Sequence, residues 1–183
     1  MRQNSDLIKG KRKMKTEDYF KRIEQEIEYF NYREVKKLAL NILRVDAENV
    51  DAKYIRDYME YHKKSNGRYE KIDLPSFLNY VYYNIKKFSL LDDNQYFLKC
   101  IKKDLEYIYL RKELCSVNDS GMLKKVINML LELNNFEMES ILDLLKSIQR
   151  SLNLQIKQDE EKRIKARERE RIIAEEEDRK SVV

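Results

Sequence analysis

The sequence predicts an all-α protein: a bundle of about six antiparallel helices, built as repeat-like hairpins and ending in a long charged helix. Three observations predict it. The 183 residues include only three Gly and one Pro, too few for the turns and bulges of a many-stranded sandwich or barrel. Lys, Glu, Leu and Ile dominate, mostly good helix formers, with Ile the weaker. Apolar residues also recur at three- and four-residue steps, the spacing of one helix face.

The first helix is expected to begin at Thr16, a residue suited to the N-cap, with Glu17 and Asp18 where the helix dipole favours acids. Tyr19, Phe20, Ile23, Ile27 and Phe30 form its stripe, and Asn31 marks a short turn. A second helix over about Arg33 to Val45 buries Val35, Leu38, Ala39, Ile42 and Leu43. Asp46-Ala47-Glu48-Asn49 reads as a turn and cap for a third helix reaching about Lys64, with Ala52, Ile55, Tyr58 and Met59 inward. Ser65-Asn66-Gly67 ends it, glycine being suited to the left-handed position past a helix.

Pro75 fits the first turn of a fourth helix capped by Asp73 or Leu74. Its stripe is Phe77, Leu78, Val81, Tyr82, Ile85 and Phe88. Asp92 and Asp93 open a fifth helix that turns Phe97, Cys100, Ile101, Leu105 and Ile108 inward. A break from Ser116 to Gly121 precedes a sixth helix over about Met122 to Leu133, and Asn134-Asn135 separates it from the last. The connections are short, as between antiparallel neighbours.

The last helix changes character along its length. Met138, Ile141, Leu145, Ile148 and Leu152 make a heptad-like seam, which stops where Gln155 and Asp159 take the next positions. From Lys157 to Lys180 nine acids face nine bases. Pairs four apart, such as Asp159 with Arg163, Glu161 with Lys165 and Glu175 with Arg179, each add a few tenths of a kcal/mol to a helix. Three segments follow: a basic flexible leader at 1–15, a helical domain at 16–155, and a charged projecting helix or disordered tail at 156–183.

The formal net charge is +5, and the first 15 residues hold all of it, with Arg2, Lys9, Lys11, Arg12, Lys13 and Lys15 against Asp6. The rest of the chain is neutral overall. Three readings stay open for Lys9, Lys11, Arg12, Lys13 and Lys15: phosphate contact, a localisation signal, or a solvated leader. Met14 adds another, that translation starts there, leaving a net charge of about +1 once five bases and one acid are removed.

Residues 17–58 resemble a tetratricopeptide-type helical hairpin. The likeness rests on Tyr32-Arg33-Glu34-Val35 and on the stretch from Leu43 through Asp46, Asn49 and Ala52. That family starts its second helix with an aromatic and ends it in a Leu-x-x-Asp-Pro-x-Asn-x-x-Ala type of run. Ala47 stands where proline is usual, Ile23, Val35 and Ile42 stand where small residues are typical, and no second copy follows. The resemblance implies a helical scaffold that binds other proteins.

Catalytic and metal chemistry find little footing. His62 is the only histidine; Glu60 lies two residues away on a nearly opposite helix face and Tyr58 four away, so it is expected at the surface or boundary with no chelate. Scattered glycines give no phosphate loop. Cys100 and Cys115, with no secretion signal ahead of them, are expected reduced and cytoplasmic. The longest apolar runs, such as Phe88–Leu91 and Val126–Leu131, fall far short of the roughly 20 residues of a membrane span. No catalytic, cofactor-binding or metal residue is assigned.

Among thirteen tyrosines, Tyr80, Tyr82 and Tyr83 stand beside Lys86 and Lys87. That combination suits base stacking on single-stranded nucleic acid, or equally the half-wet edge of a packed helix. The expected function is a non-enzymatic protein-interaction or scaffold protein with another protein as partner. The alternative is a nucleic-acid or ribonucleoprotein component that uses the leader and the Tyr82, Tyr83, Lys86, Lys87 face.

Overall fold

A computed structural model describes residues 15–89, 95–111, 115–133 and 138–181. Among these described residues seven α-helices follow in order: α1 Thr16–Glu28, α2 Tyr32–Val45, α3 Val50–Tyr61, α4 Leu74–Ser89, α5 Gln95–Leu110, α6 Ser120–Glu132 and α7 Glu139–Ser181. A 3-10 turn at Val117–Asp119 leads into α6. Among the described residues no strand forms; one antiparallel bridge joins Lys63 and Tyr69. The all-α fold with a long carboxy-terminal helix is as the sequence predicts. The proposed openings at Asp92-Asp93 and Asn134-Asn135 lie outside the described residues, as does the leader through Met14.

The chain divides into two units, one of residues 1–71 with 92–103, the other of 72–91 with 104–183. In the first, α1 packs on α2 and α2 on α3. The predicted stripes supply its core: Phe20, Ile23 and Ile27 from α1, Val35, Leu38, Ala39 and Ile42 from α2, Ala52, Ile55, Tyr58 and Met59 from α3. Leu43, expected inside, is half-buried. Lys15 takes the cap position of α1 in place of Thr16, its backbone N–H donating to Asp18 Oδ2 at 3.3 Å.

The α1–α2 turn is a Schellman motif without glycine. Phe30 sits in the left-handed region at φ 56°, while Asn31 N–H reaches Glu26 O at 3.0 Å and Phe30 N–H reaches Ile27 O at 3.0 Å. A bulky residue there costs roughly 1–2 kcal/mol. The Phe30 ring recovers part of it beneath Lys71 Nζ, 3.9 Å from its centroid. Asn49 caps α3 as read, its side chain accepting from Ala52 N–H at 3.0 Å.

α3 ends at Tyr61, three residues before its expected limit. Its next backbone groups pair across a tight loop instead: Glu70 N–H donates to His62 O at 3.0 Å and Lys64 N–H to Arg68 O at 2.8 Å. Gly67, at φ 78°, turns that loop rather than closing the helix.

In the second unit α4 packs on α6 and α6 on α7. Asp73 caps α4, its Oδ1 accepting from Ser76 N–H at 3.0 Å. The helix kinks at Asn84, whose φ and ψ are −114° and 16°, and Asn84 Nδ2 donates to Tyr80 O at 2.8 Å, a side-chain bond of the kind that competes with the backbone ladder. Gly121, expected in the break before the sixth helix, lies in the first turn of α6.

All five seam residues are buried, Met138 just ahead of α7 and Ile141, Leu145, Ile148 and Leu152 within it. Beyond Leu152 the helix continues unbroken while nearly every described side chain through Glu177 is exposed. Leu154, Ile156, Ile164, Ile172 and Ile173 are all exposed, and Ile156 falls on the side opposite Leu154 and Ile172, so they do not line one face. Ion pairs follow the expected logic with a shifted register: Asp159 meets Lys162 at 3.7 Å, and Glu175 meets Arg171 at 3.2 Å. The Arg179 side chain lies outside those described.

Removing residues 157–183 is therefore expected to move the melting midpoint by less than about 2 °C, since surface changes stay near ±0.5 kcal/mol. A fall of more than about 5 °C in calorimetry would show that the tail buries apolar surface.

Candidate functional site

Of the candidate contact residues, Lys9, Lys11, Arg12 and Lys13 lie outside the described residues. Lys15 is exposed at the start of α1, in the first unit. Tyr82, Tyr83, Lys86 and Lys87 all belong to α4, in the second.

The four α4 residues fall on either side of the kink at Asn84, the tyrosines before it and the lysines after it. Packing of α6 on α4 then brings a residue that the sequence reading did not include. Lys125 Nζ donates to the Tyr82 hydroxyl at 2.9 Å and stands 4.4 Å from the Tyr82 ring centroid. Lys124 is exposed beside it in sequence. Tyr82 and Tyr83 meet edge to face, with centroids 5.2 Å apart and planes at 84°.

Tyr83 departs from the packed-edge reading, being 78% exposed. Tyr80 is buried at 3% and belongs to the core, so it leaves the stacking candidates. The two helices themselves carry few acids: α4 contains no Asp or Glu, and α6 contains only Glu132, at its last position. A pair of adjacent lysines on an otherwise neutral helix was the available sequence signal for Lys124 and Lys125.

His62 corrects an expectation. It is fully buried, not at the surface. Its ring stacks on Tyr32 with centroids 3.9 Å apart and planes at 20°, and meets Tyr58 edge-on at 5.0 Å. Nδ1 lies 2.9 Å from Glu70 O; a carbonyl only accepts, so Nδ1 carries the hydrogen. The histidine fastens the 62–70 loop to an aromatic core, a structural role within the first unit.

Asp51 is the other buried polar side chain with a clear task. It opens α3, is 4% exposed, and its Oδ1 accepts Phe97 N–H at 2.9 Å. The carboxylate thus caps the first turn of α5, where free N–H groups and the dipole favour an anion. Burial nevertheless pushes its pKa up to about 6, against the lowering effect of the Phe97 and Tyr96 amides and the Lys99 charge.

The sign of the stability effect follows. With an ordinary value of 3.8 in the unfolded chain and about 6 in the folded one, the folded state holds the proton more tightly between those values. Stability from this group is fullest below pH 4 and falls as pH rises to 6, by on the order of 3 kcal/mol. Against Asp51→Asn, urea unfolding of the parent should show this extra loss across pH 4–6. Parallel profiles for the two chains would refute the assignment.

The second unit also contains a cavity of about 250 Å³ lined by residues including Tyr109, Cys115, Ser147, Ile148, Ser151 and Gln155. Among the described residues none of its lining side chains is a carboxylate or histidine, and Ser147 Oγ donates to Asp143 O at 2.8 Å. Cys100 is buried and Cys115 half-buried, both as free thiols. Among the described residues no group of three or more His, Cys, Asp or Glu could hold a metal ion. Nor, among them, is any helix long and apolar enough to cross a membrane. No family model, no curated protein and no solved structure matches the chain.

Proposed function

We propose that the chain is a non-enzymatic binding protein, a cytoplasmic scaffold of helical hairpins whose contact surface is the tyrosine–lysine face of α4 and α6. One observation carries this reading. Tyr83 is left 78% exposed, edge-on to a Tyr82 ring that α6 holds through the Lys125 hydrogen bond. Exposed aromatic surface held in place by a neighbour is what a protein partner covers.

The remainder of the chain serves as a frame in this reading. The resemblance of residues 17–58 to a tetratricopeptide-type hairpin agrees with a scaffold role, and the exposed length of α7 suits a spacer. Affinity capture from the native organism tests it, comparing the parent with Tyr83→Ala and Lys124→Glu/Lys125→Glu. The partner should be lost with the face variants and kept when residues 157–183 are removed. The reverse pattern would move the contact surface to α7.

A further inference from the structure

We infer that the charged end of α7 pairs with the same segment of a second copy of this chain, the two helices running antiparallel about a two-fold axis at Ile172.

The charges of this segment are sorted along the helix. Six bases and two acids stand from Lys162 to Arg171, then four acids in succession from Glu175 to Asp178. A helix that supports itself in water sets each base four residues from an acid. Here Arg163, Arg167 and Arg171 follow one another at that spacing, as do Lys165 and Arg169. Like charges four apart weaken a helix by a few tenths of a kcal/mol per pair. Among the described residues Arg171 with Glu175 is the one ion pair that joins the two blocks. Arg163, Lys165, Arg167 and Arg169 meet no acid among the described residues.

Reversal of direction turns this sorting into complementarity. A parallel pair sets base against base and acid against acid. In the antiparallel pair Arg167, five positions before Ile172, faces Glu177 of the second copy, five positions after it. Arg169 and Glu175, three positions to either side, face each other in the same way. The contact is isologous, so each of these pairs forms twice.

The axis also falls where the segment is apolar. Ile172 and Ile173 are 55% and 56% exposed and lie between the basic and acidic blocks. Their burial against the second copy supplies the cohesion, while the flanking charges set the direction, as charges beside a coiled-coil seam do. Exposed ion pairs contribute no more than about 1 kcal/mol each. Pairing is therefore weak, sensitive to salt and confined to the tail, and it leaves the core of each copy unchanged. Two copies joined in this way present each binding face twice, and a multivalent partner gains avidity from that.

The test is disulfide trapping in the full-length chain, with Cys115→Ser to remove the half-buried native thiol and one new cysteine at a time. Ile172→Cys should form a cross-linked dimer at least about tenfold faster than Ile164→Cys, since pairing raises the local thiol concentration only near the axis. Residue 164 lies eight positions from the axis, hence about 24 Å from its counterpart, and a disulfide needs Cα atoms within about 7 Å. Arg167→Glu should slow trapping at position 172, and adding Glu177→Arg should restore it. Within one helix Arg167→Glu relieves repulsion from Arg163 and Arg171, so the loss cannot come from a melted tail; circular dichroism checks this. Salt at about 1 M should remove the advantage of position 172.

Equal rates at 172 and 164 overturn the inference: slow at both means no pairing, and fast at both means a parallel pair. Fast trapping at 172 that Arg167→Glu leaves unchanged overturns it as well, because charge would then not direct the contact.

Discussion

Replacing Phe97 by alanine is expected to lower the unfolding free energy by about 3–5 kcal/mol, the range for truncating a buried aromatic. The ring is fully buried and meets Tyr54 at 5.6 Å and Tyr58 at 6.0 Å, both edge-on. Tyr58 in turn touches His62, which stacks on Tyr32, so the cavity would open within a chain of packed rings that leads from α5 to α2. At roughly 2–4 °C per kcal/mol for a chain of this size, the melting midpoint should fall by about 10 °C. Phe97→Leu, which keeps most of the volume, should cost well under half as much. Two variants with the same small effect would mean that the ring does not fill this site.

Leu145→Asp is expected to cost at least about 4 kcal/mol, because it removes a buried apolar side chain and puts an unpaired carboxyl in its place. Leu145 is fully buried in the seam of α7. Leu154→Asp, nine residues later on the same helix, provides the contrast. Leu154 is 59% exposed, so its replacement should change stability by no more than about 0.5 kcal/mol. Chemical denaturation of the two variants checks the pair, and matching midpoints would place the end of the seam elsewhere. The comparison locates the point where α7 stops being a core helix and becomes one held by its own charges.

That transition was legible in the sequence, since Gln155 and Asp159 break the seam and the following residues carry mixed charge. The inward residues of α5 were equally legible: Phe97, Cys100, Ile101, Leu105 and Ile108 are all buried as their spacing requires. Tyr82, Tyr83, Lys86 and Lys87 could be grouped in advance because they lie within six positions of one helix, although the kink at Asn84 was not legible. Lys125 could not, because it lies 43 positions from the tyrosine it holds. Nothing within a few residues of Tyr83 distinguishes its exposure from the burial of Tyr80 on the same helix.

Asp51 and His62 show the same boundary from the polar side. Asp51 reads locally as an acid in the first turn of its own helix, yet its carboxylate is used by α5, 46 positions further on. His62 reads as a polar residue at a helix end, yet Tyr32 from the preceding helix covers it. The sequence by itself determined the helices, their approximate ends and their apolar faces, because periodicity, capping and turn chemistry act within about four residues. Tertiary structure alone decided which polar and aromatic side chains are buried, capped or left in water. Their surroundings are built by segments distant in the chain, and burial, hydrogen bonding and charge depend on those surroundings.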